Sequence, residues 1–203
     1  MPLNLQETFG DIDVYLFDQL LKGRLYPPMS ILDAGCGGGR NLIYFLKNGF
    51  TVFGIDASPA AIAQVRTMAS DLAPHLPAGN FRFEPVEKLT FADGAFDFII
   101  CNAVLHFARN EDHWNSMVNE LWRVLKKGGV LFSRLASSVA IENQIKPKGD
   151  GQYRLPDGSD RYLVSPEMLL NKTASLGGEL MDPIKSVVVH NQRTMTNWVL
   201  QKT

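Results

Sequence analysis

The sequence predicts an α/β protein with a doubly wound, seven-stranded, mostly parallel sheet that has helices on both faces. Three observations favour this fold class. Short apolar segments alternate with helical segments from residue 29 onward. The apolar run at 29–32 leads directly into a glycine-rich turn, as a strand entering a helix does. The link at 191–194 between the last two predicted strands is too short for a parallel crossover, so the last strand is antiparallel.

The predicted strands are short apolar runs bounded by turn residues. The run at 96–101 is apolar nearly throughout, which is typical of a strand that is buried on both faces of its sheet. The predicted strands cover residues 29–33, 51–56, 81–84, 96–101, 130–135, 184–190 and 195–200.

The predicted helices begin at capping residues and end at glycine or proline. Asp11 is the expected cap of the first helix, and Ser58 and Ser165 each precede a proline in the first turn. The fourth helix has an apolar face at helical spacing, and Gly128-Gly129 is expected to end it. The predicted helices cover residues 11–22, 41–48, 59–72, 111–125 and 166–176.

The length of 203 residues suits one domain spanning residues 1–203. We expect residues 1–28 to form an N-terminal helical cap. Residues 137–163 form a polar insert, rich in turn residues, that directly follows the fifth strand. Two interpretations of this insert stay open, namely a mobile surface loop and a lid over the ligand-binding edge of the sheet.

The overall charge excludes several classes of partner. A formal net charge of −1 creates no field that would broadly attract nucleic acid or an anionic membrane.

The N-terminus lacks a leader pattern, and no apolar run is long enough to cross a bilayer. The two cysteines, Cys36 and Cys101, have no neighbours with metal-ligand spacing, so we expect reduced thiols, no metal and a cytoplasmic protein. The sequence leaves the oligomeric state open.

The turn after the first strand contains the pattern G-x-G-x-G, formed by Gly35, Gly37 and Gly39. A dinucleotide-binding turn would read G-x-G-x-x-G, but Arg40 stands at the third glycine position. The phosphate-loop pattern G-x-x-x-x-G-K-[ST] is absent as well. Asp33 would repel a pyrophosphate, whereas it would suit a ligand that carries an ammonium group and a sulfonium. The motif therefore favours S-adenosylmethionine over a dinucleotide.

An acidic residue, Asp56, ends the second strand 23 residues after Asp33. A carboxylate at this position can accept hydrogen bonds from both hydroxyls of a ribose. Ala57 and Ser58 would then lie beside the adenine.

Four segments resemble the hallmarks of class I S-adenosylmethionine-dependent methyltransferases, in the same order along the chain. The resemblance covers residues 25–135 and implies a Rossmann-like methyltransferase fold, methyl transfer from S-adenosylmethionine, and S-adenosylhomocysteine as product. The Gly-Arg-Asn run at 39–41 and the compact build also resemble small-molecule members of the tellurite-resistance and thiopurine types. The four segments read LDAGCGGGRN, GID, DGAFDFI and ELWRVLKKGG.

The resemblance also assigns residues to the cofactor. Members of the superfamily usually place an aspartate after the third strand, against the adenine amino group, but Pro85 stands there. The backbone N–H of Val86 or the carboxylate of Glu87 could replace it, although Glu87 could equally be a solvated loop residue. The residues expected to contact the cofactor are Asp33, Gly35, Cys36, Gly37, Asp56, Ala57, Ser58, Val86, Glu87, Asn102 and Ala103.

Methyl transfer from a sulfonium needs orientation more than it needs a catalytic triad, and no triad is evident. His106, just past the fourth strand, could act as a base, position the acceptor, or simply pack in its loop. Tyr15 and Arg134 are further candidates for contact with the acceptor, and Arg134 would suit an anionic one. Arg154 and Arg161 in the insert could serve in the same way, although solvation is the simpler role for both.

The sequence therefore predicts an S-adenosylmethionine-dependent methyltransferase that acts on a small-molecule acceptor. One alternative is a non-catalytic module that binds the same cofactor. Another is a methyltransferase that acts on protein or nucleic acid, which the net charge and the absence of an Asn/Asp-Pro-Pro-Phe/Tyr motif disfavour. An NAD-dependent oxidoreductase is disfavoured by the glycine spacing and by Asp33.

Overall fold

The protein folds around a mostly parallel β-sheet, as seen in a computed structural model that describes residues 4–203. Its strands are β1 (Ser30–Ala34), β2 (Thr51–Asp56), β3 (Phe81–Phe83), β4 (Phe96–Asn102), β5 (Leu125–Ser137), β6 (Lys146–Gly149), β7 (Gln152–Arg154), β8 (Asp160–Tyr162), β9 (Gly178–Leu180), β10 (Lys185–Val189) and β11 (Arg193–Lys202). Its α-helices are α1 (Leu5–Phe9), α2 (Val14–Leu21), α3 (Ile43–Lys47), α4 (Pro59–Leu72), α5 (Glu111–Val124) and α6 (Pro166–Ser175).

The main sheet has the order β10-β11-β5-β4-β1-β2-β3, and the short strand β9 also pairs with β11. The pairs from β3 through β5 are parallel, whereas β11 is antiparallel to β5, β9 and β10. The chain reverses before β11 at His190 and Asn191, which both have positive φ. The predicted fold class, including the reversed last strand, is thus confirmed.

Two predicted helix boundaries are wrong. The N-cap of α2 is Asp13 rather than Asp11, because the Asp13 carboxylate accepts a backbone N–H of the first turn. Helix α5 ends at Val124 and the chain passes directly into β5 at Leu125, so Gly128-Gly129 does not end the helix. These glycines lie in β5, where its register with β4 is interrupted between the first pair and the next.

The sheet is covered by apolar side chains on both faces. Along β4, Ile99 and Cys101 belong to the cluster that packs against α5, while Phe98 and Ile100 belong to the cluster on the opposite face. All four side chains are fully buried. The continuous apolar run in the sequence therefore marks a strand buried on both faces, as expected.

The insert at 137–163 contains a three-stranded antiparallel sheet, β6-β7-β8, where the sequence showed only turn signals. Its apolar residues Ile141, Leu155 and Leu163 form a small cluster with Ala136 and Met195 of the main sheet. The insert is therefore attached to the ends of β5 and β11.

The N-terminal segment adds two short helices to the edge of the core. Phe9 of α1 stacks on Tyr44 with the ring centroids 5.0 Å apart, and Leu16 of α2 is fully buried. The first three residues of the cap predicted for 1–28 lie outside the described residues. No helix in the described part of the chain is long and apolar enough to cross a membrane.

Candidate active site

The carboxyl ends of the parallel strands bring most of the predicted site residues to one edge of the sheet. Asp33, Asp56, Asn102 and Arg134 lie at or near the ends of β1, β2, β4 and β5, respectively. This is the edge at which open α/β sheets bind their ligands. The reversal of β11 places Arg193, the first residue of that strand, at the same edge, opposite the end of β5.

The glycine turn after β1 is held against the end of β2 by backbone hydrogen bonds. The N–H groups of Gly35 and Cys36 both donate to the carbonyl oxygen of Ile55, at 2.8 and 2.9 Å. The N–H of Gly37 donates to Oδ2 of Asp56, at 2.8 Å. The turn and the acidic end of β2 therefore form one connected unit.

The glycines of this turn serve different purposes. Gly35 has a φ of 80°, and a Cβ there would overlap Cγ2 of Val104. Gly37 has a φ of 52°, but a Cβ there would meet no atom of residues 4–203 within 4 Å. Gly35 is thus required by packing inside the protein, whereas Gly37 borders open space against which a ligand can lie.

The carboxyl group of Asp33 is buried without a hydrogen-bond partner for Oδ2 among residues 4–203. Only 1% of the residue is exposed. Burial raises the pKa of Asp33 to about 7, with Arg40 opposing the shift and the charge of Asp56 adding to it. A buried carboxylate is costly unless it is paired. The ammonium group of S-adenosylmethionine would supply that missing partner.

The carboxylate of Asp56 bridges two backbone groups and keeps further capacity to accept. Its Oδ1 accepts the N–H of Ser58 at 2.8 Å, while Oδ2 accepts Gly37 as described above. Each carboxylate oxygen can accept a second hydrogen bond, so both hydroxyls of a ribose can be bound. The hydroxyl of Ser58 caps α4 by accepting the backbone N–H of Ala61 at 3.4 Å. The preceding residue, Ala57, is exposed and is free to contact a ligand.

A cavity of about 390 Å³, here called the glycine-turn cavity, joins six of the predicted cofactor residues. These are Gly35, Asp56, Ala57, Val86, Glu87 and Ala103. Cys36 does not line the cavity, because its buried side chain packs towards Gly54. This burial raises the pKa of its thiol. Asp33, Gly37, Ser58 and Asn102 are also outside this lining. Further residues that the sequence analysis did not assign complete it, namely Pro85, Val104, Phe107, His113 and Met117.

Glu87 and His113 are in contact with each other in the lining of the glycine-turn cavity. Oε1 of Glu87 lies 3.1 Å from Nε2 of His113, whose Nδ1 accepts the backbone N–H of Arg109 at 3.0 Å. The carboxylate of the neighbouring Glu84 is already bound by Thr90. Glu87 is therefore the acidic side chain in this loop that reaches the cavity, although Pro85 replaces the usual aspartate.

The backbone after β4 is strained where it passes the site. Ala103 has a φ of 63°, which is uncommon for a residue other than glycine. Its N–H donates to the carbonyl oxygen of Arg134 at 2.7 Å, which holds the loop to β5. The side-chain amide of Asn102 is buried, and neither of its polar atoms has a partner among residues 4–203. Strain and unpaired buried polar groups are typical of functional sites.

A second cavity, here called the arginine cavity, has a volume of about 470 Å³ and adjoins the first. The two cavities share Ala103 and Phe107. The arginine cavity is lined by Ala103, His106, Phe107, Arg134, Ala136, Leu155, Ser159, Arg161, Val189, Arg193 and Met195. It contains the predicted acceptor residues His106 and Arg134, and the insert contributes Leu155, Ser159 and Arg161.

His106 is arranged to donate a hydrogen bond rather than to accept a proton. Its Nδ1 accepts the backbone N–H of Ala136 at 3.2 Å. Burial, together with the smaller effects of the charges of Arg161, Arg193 and Arg134, lowers the pKa of His106 to about 4. The imidazole is therefore neutral at pH 7, and its proton is assigned to Nε2 from the hydrogen bond at Nδ1.

Arg134 is held between an aromatic ring and a carboxylate. Its Nη1 lies 3.3 Å from Oδ2 of Asp13, and its Cζ lies 5.3 Å from the ring centroid of Tyr15. Arg40 approaches the same carboxylate at 3.8 Å. Tyr15 lines neither of the two cavities but a separate one beside Lys185, so it touches the arginine cavity only through Arg134.

Comparisons with known proteins agree with this geometry. A family model described as a methyltransferase domain matches residues 32–133, half of the chain. An uncharacterized methyltransferase of Synechocystis sp. is 32% identical over 104 residues, 51% of this chain and 45% of its own length. A ubiquinone biosynthesis O-methyltransferase of Brucella anthropi is 28% identical over 170 residues, 79% of this chain and 64% of its own length.

The solved structure of an S-adenosylmethionine-dependent methyltransferase from Methanosarcina mazei has the same fold. Its TM-score is 0.73 at 22% identity, covering 90% of this chain and 96% of that one. The chain therefore belongs to the methyltransferase-domain family of class I, and its cofactor is S-adenosylmethionine. The matched segments span less than two thirds of both sequence relatives, so the acceptor and partners of the whole protein are matters for proposal.

Proposed function

We propose that this protein transfers a methyl group from S-adenosylmethionine to a small-molecule acceptor. The observation that carries the proposal is the meeting of two cavities at Ala103 and Phe107. One cavity is lined by the cofactor motif, and the other by His106 and three arginines. A methyl donor in the first cavity and an acceptor in the second would be in contact only at this junction.

The residues around the glycine-turn cavity suit S-adenosylmethionine in three places. The carboxylate of Asp33, whose Oδ2 has no hydrogen-bond partner among residues 4–203, would pair with the ammonium group. Asp56 would accept the ribose hydroxyls. The backbone N–H of Val86 and the carboxylate of Glu87 would bind the adenine.

The chemistry asks little of the protein beyond orientation. When bound, S-adenosylmethionine supplies a methyl group on a sulfonium, and the thioether that leaves is neutral and needs no acid. The residues of the arginine cavity have to hold the acceptor in line and exclude water, which can lower a barrier by roughly 7–11 kcal/mol. The Nε2–H of His106 would donate a hydrogen bond to the acceptor, which makes His106 a positioning group rather than a base.

Three findings support a small acceptor. The arginine cavity, at about 470 Å³, falls in the size range of small-molecule sites. The insert covers it from one side, because Arg161 lies 4.7 Å from the ring centroid of Phe107 and Gln152 donates to the carbonyl oxygen of Ala108. The Brucella relative, a ubiquinone biosynthesis O-methyltransferase, carries a name that fits a small acceptor.

The proposal is tested by methyl transfer from labelled S-adenosylmethionine to a panel of small thiols, amines, phenols and carboxylates. We expect acceptor-dependent formation of S-adenosylhomocysteine, and its loss in Asp56→Ala. The control is Asp71→Ala, which removes an exposed carboxylate near the end of α4. Cofactor binding without turnover on any acceptor would favour the non-catalytic module, and tighter binding of NAD than of S-adenosylmethionine would contradict the cofactor assignment.

A further inference from the structure

We infer that the acceptor is a small organic monoanion whose carboxylate pairs with Arg161 in the arginine cavity. The inference rests on the proposed function, because it names the substrate class of the same site. It follows from the charges around the cavity and from how they are compensated.

Three guanidinium groups line the arginine cavity, and they come from three separate elements. Arg134 lies on β5, Arg161 on β8 and Arg193 on β11. None of the described residues that line the cavity is acidic. The positive charge of these three groups is a local feature of the cavity, since the whole chain has a formal net charge of −1. A cavity with this lining attracts anions and disfavours cationic acceptors.

Two of the three guanidinium groups are compensated by carboxylates just outside the cavity. Arg134 lies 3.3 Å from a carboxylate oxygen of Asp13. Arg193 lies 3.6 Å from a carboxylate oxygen of Asp157, which belongs to the insert. Of the three guanidinium groups, Arg161 is the one for which no carboxylate among residues 4–203 lies within ion-pair distance, so a single carboxylate on the ligand would pair with it.

Arg161 has no carboxylate partner among the described residues. Its Nη1 donates to the backbone carbonyl oxygen of Asp160 at 2.6 Å, while the carboxylate of Asp160 is bound by Lys148 and Arg154. The guanidinium lies over the ring of Phe107, one of the two residues at the junction of the cavities. The planar donor fork of an arginine matches a carboxylate in bidentate geometry. Arg161 is thus an anion-binding group without a carboxylate partner that lies against a residue of the junction.

The test uses carboxylates and their uncharged amides as matched probes. Protein saturated with S-adenosylhomocysteine is titrated calorimetrically with benzoate and benzamide, with butyrate and butyramide, and with phenyl phosphate as a dianion. We expect at least tenfold tighter binding of the carboxylate than of the amide in at least one pair. High salt should weaken binding of the carboxylate but not of the amide.

Arg161→Gln should abolish this preference, and Arg161→Lys should restore part of it. The matched control is Arg109→Gln, because Arg109 is exposed and lines neither cavity. Equal binding of carboxylates and amides by the wild type, or an unchanged preference in a folded Arg161→Gln protein, would overturn the inference. Tighter binding of phenyl phosphate than of benzoate would overturn the assignment of a single charge. Failure to bind S-adenosylhomocysteine at all would instead contradict the proposed function.

Discussion

Replacing Asp33 with asparagine should stabilise the cofactor-free protein at neutral and higher pH while weakening cofactor binding. Burial raises the pKa of Asp33 from 3.8 to about 7. Between these values the folded state holds a proton that the unfolded state has lost, so the free energy of unfolding falls as pH rises. Each rise of one pH unit in this window lowers the free energy of unfolding by about 1.4 kcal/mol. Asp33 therefore lowers the free energy of unfolding by on the order of 4 kcal/mol above pH 7, where it is ionised, and has no such effect below about pH 4.

The assay is urea unfolding of the wild type and of Asp33→Asn, measured at several values between about pH 5 and about pH 8. The stability difference should grow in favour of the variant as pH rises and should level off above pH 7. Asp71→Asn serves as the control, because it removes an exposed carboxylate. Parallel stability curves for the wild type and Asp33→Asn would refute the argument that this carboxylate is buried without a partner.

Three further predictions concern the same site. Because S-adenosylhomocysteine would bind the ionised form of Asp33, its dissociation constant should rise up to tenfold per pH unit below pH 7, measured calorimetrically; a flat profile would contradict this. Gly35→Ala should lose more than about 2 kcal/mol of unfolding free energy through overlap with Val104. Gly37→Ala should lose only about 1 kcal/mol but should bind S-adenosylhomocysteine much more weakly; equal behaviour of the two variants in unfolding and calorimetry would refute the distinction. Because His106 is neutral above pH 4, kcat/KM should show no inflection near pH 6.5 from this residue, and His106→Asn should raise the acceptor KM more than it lowers kcat; a base would show the opposite split in steady-state kinetics.

The main sheet, apart from the short strand β9 that was not predicted, was predictable because its strands carry strong local signals. The bounds of β2 match the prediction, since polar residues and glycine precede it and Asp56 ends it. The insert was not predictable, because β6, β7 and β8 are short and largely polar. Their position depends on contacts that Leu155 and Leu163 make with distant residues such as Met195. Local periodicity cannot report such contacts.

The glycine-turn cavity and the arginine cavity also differ in how far the sequence predicts them. The glycine-turn cavity follows from a contiguous motif, because the backbone of a tight turn and a carboxylate at a strand end are local features. In the arginine cavity, His106 and Arg134 were predictable because they follow or end strands. Arg193 was missed, because it reaches the cavity only when β11 reverses and pairs with β5. The position of a guanidinium in a hairpin gives no local indication of its role.

This division of the molecule has a functional consequence. The glycine-turn cavity is built by the loops after β1 to β4 and by α5, whereas the arginine cavity also needs β5, the insert and β11. Among the described residues, only Ala103 and Phe107 belong to both linings. We therefore expect substitutions at Leu155 and Ser159 of the insert to change acceptor binding more than cofactor binding, because both residues line the arginine cavity and not the glycine-turn cavity. The strained backbone at Ala103 is part of both linings, so a shift of this residue changes the shape of both cavities at once.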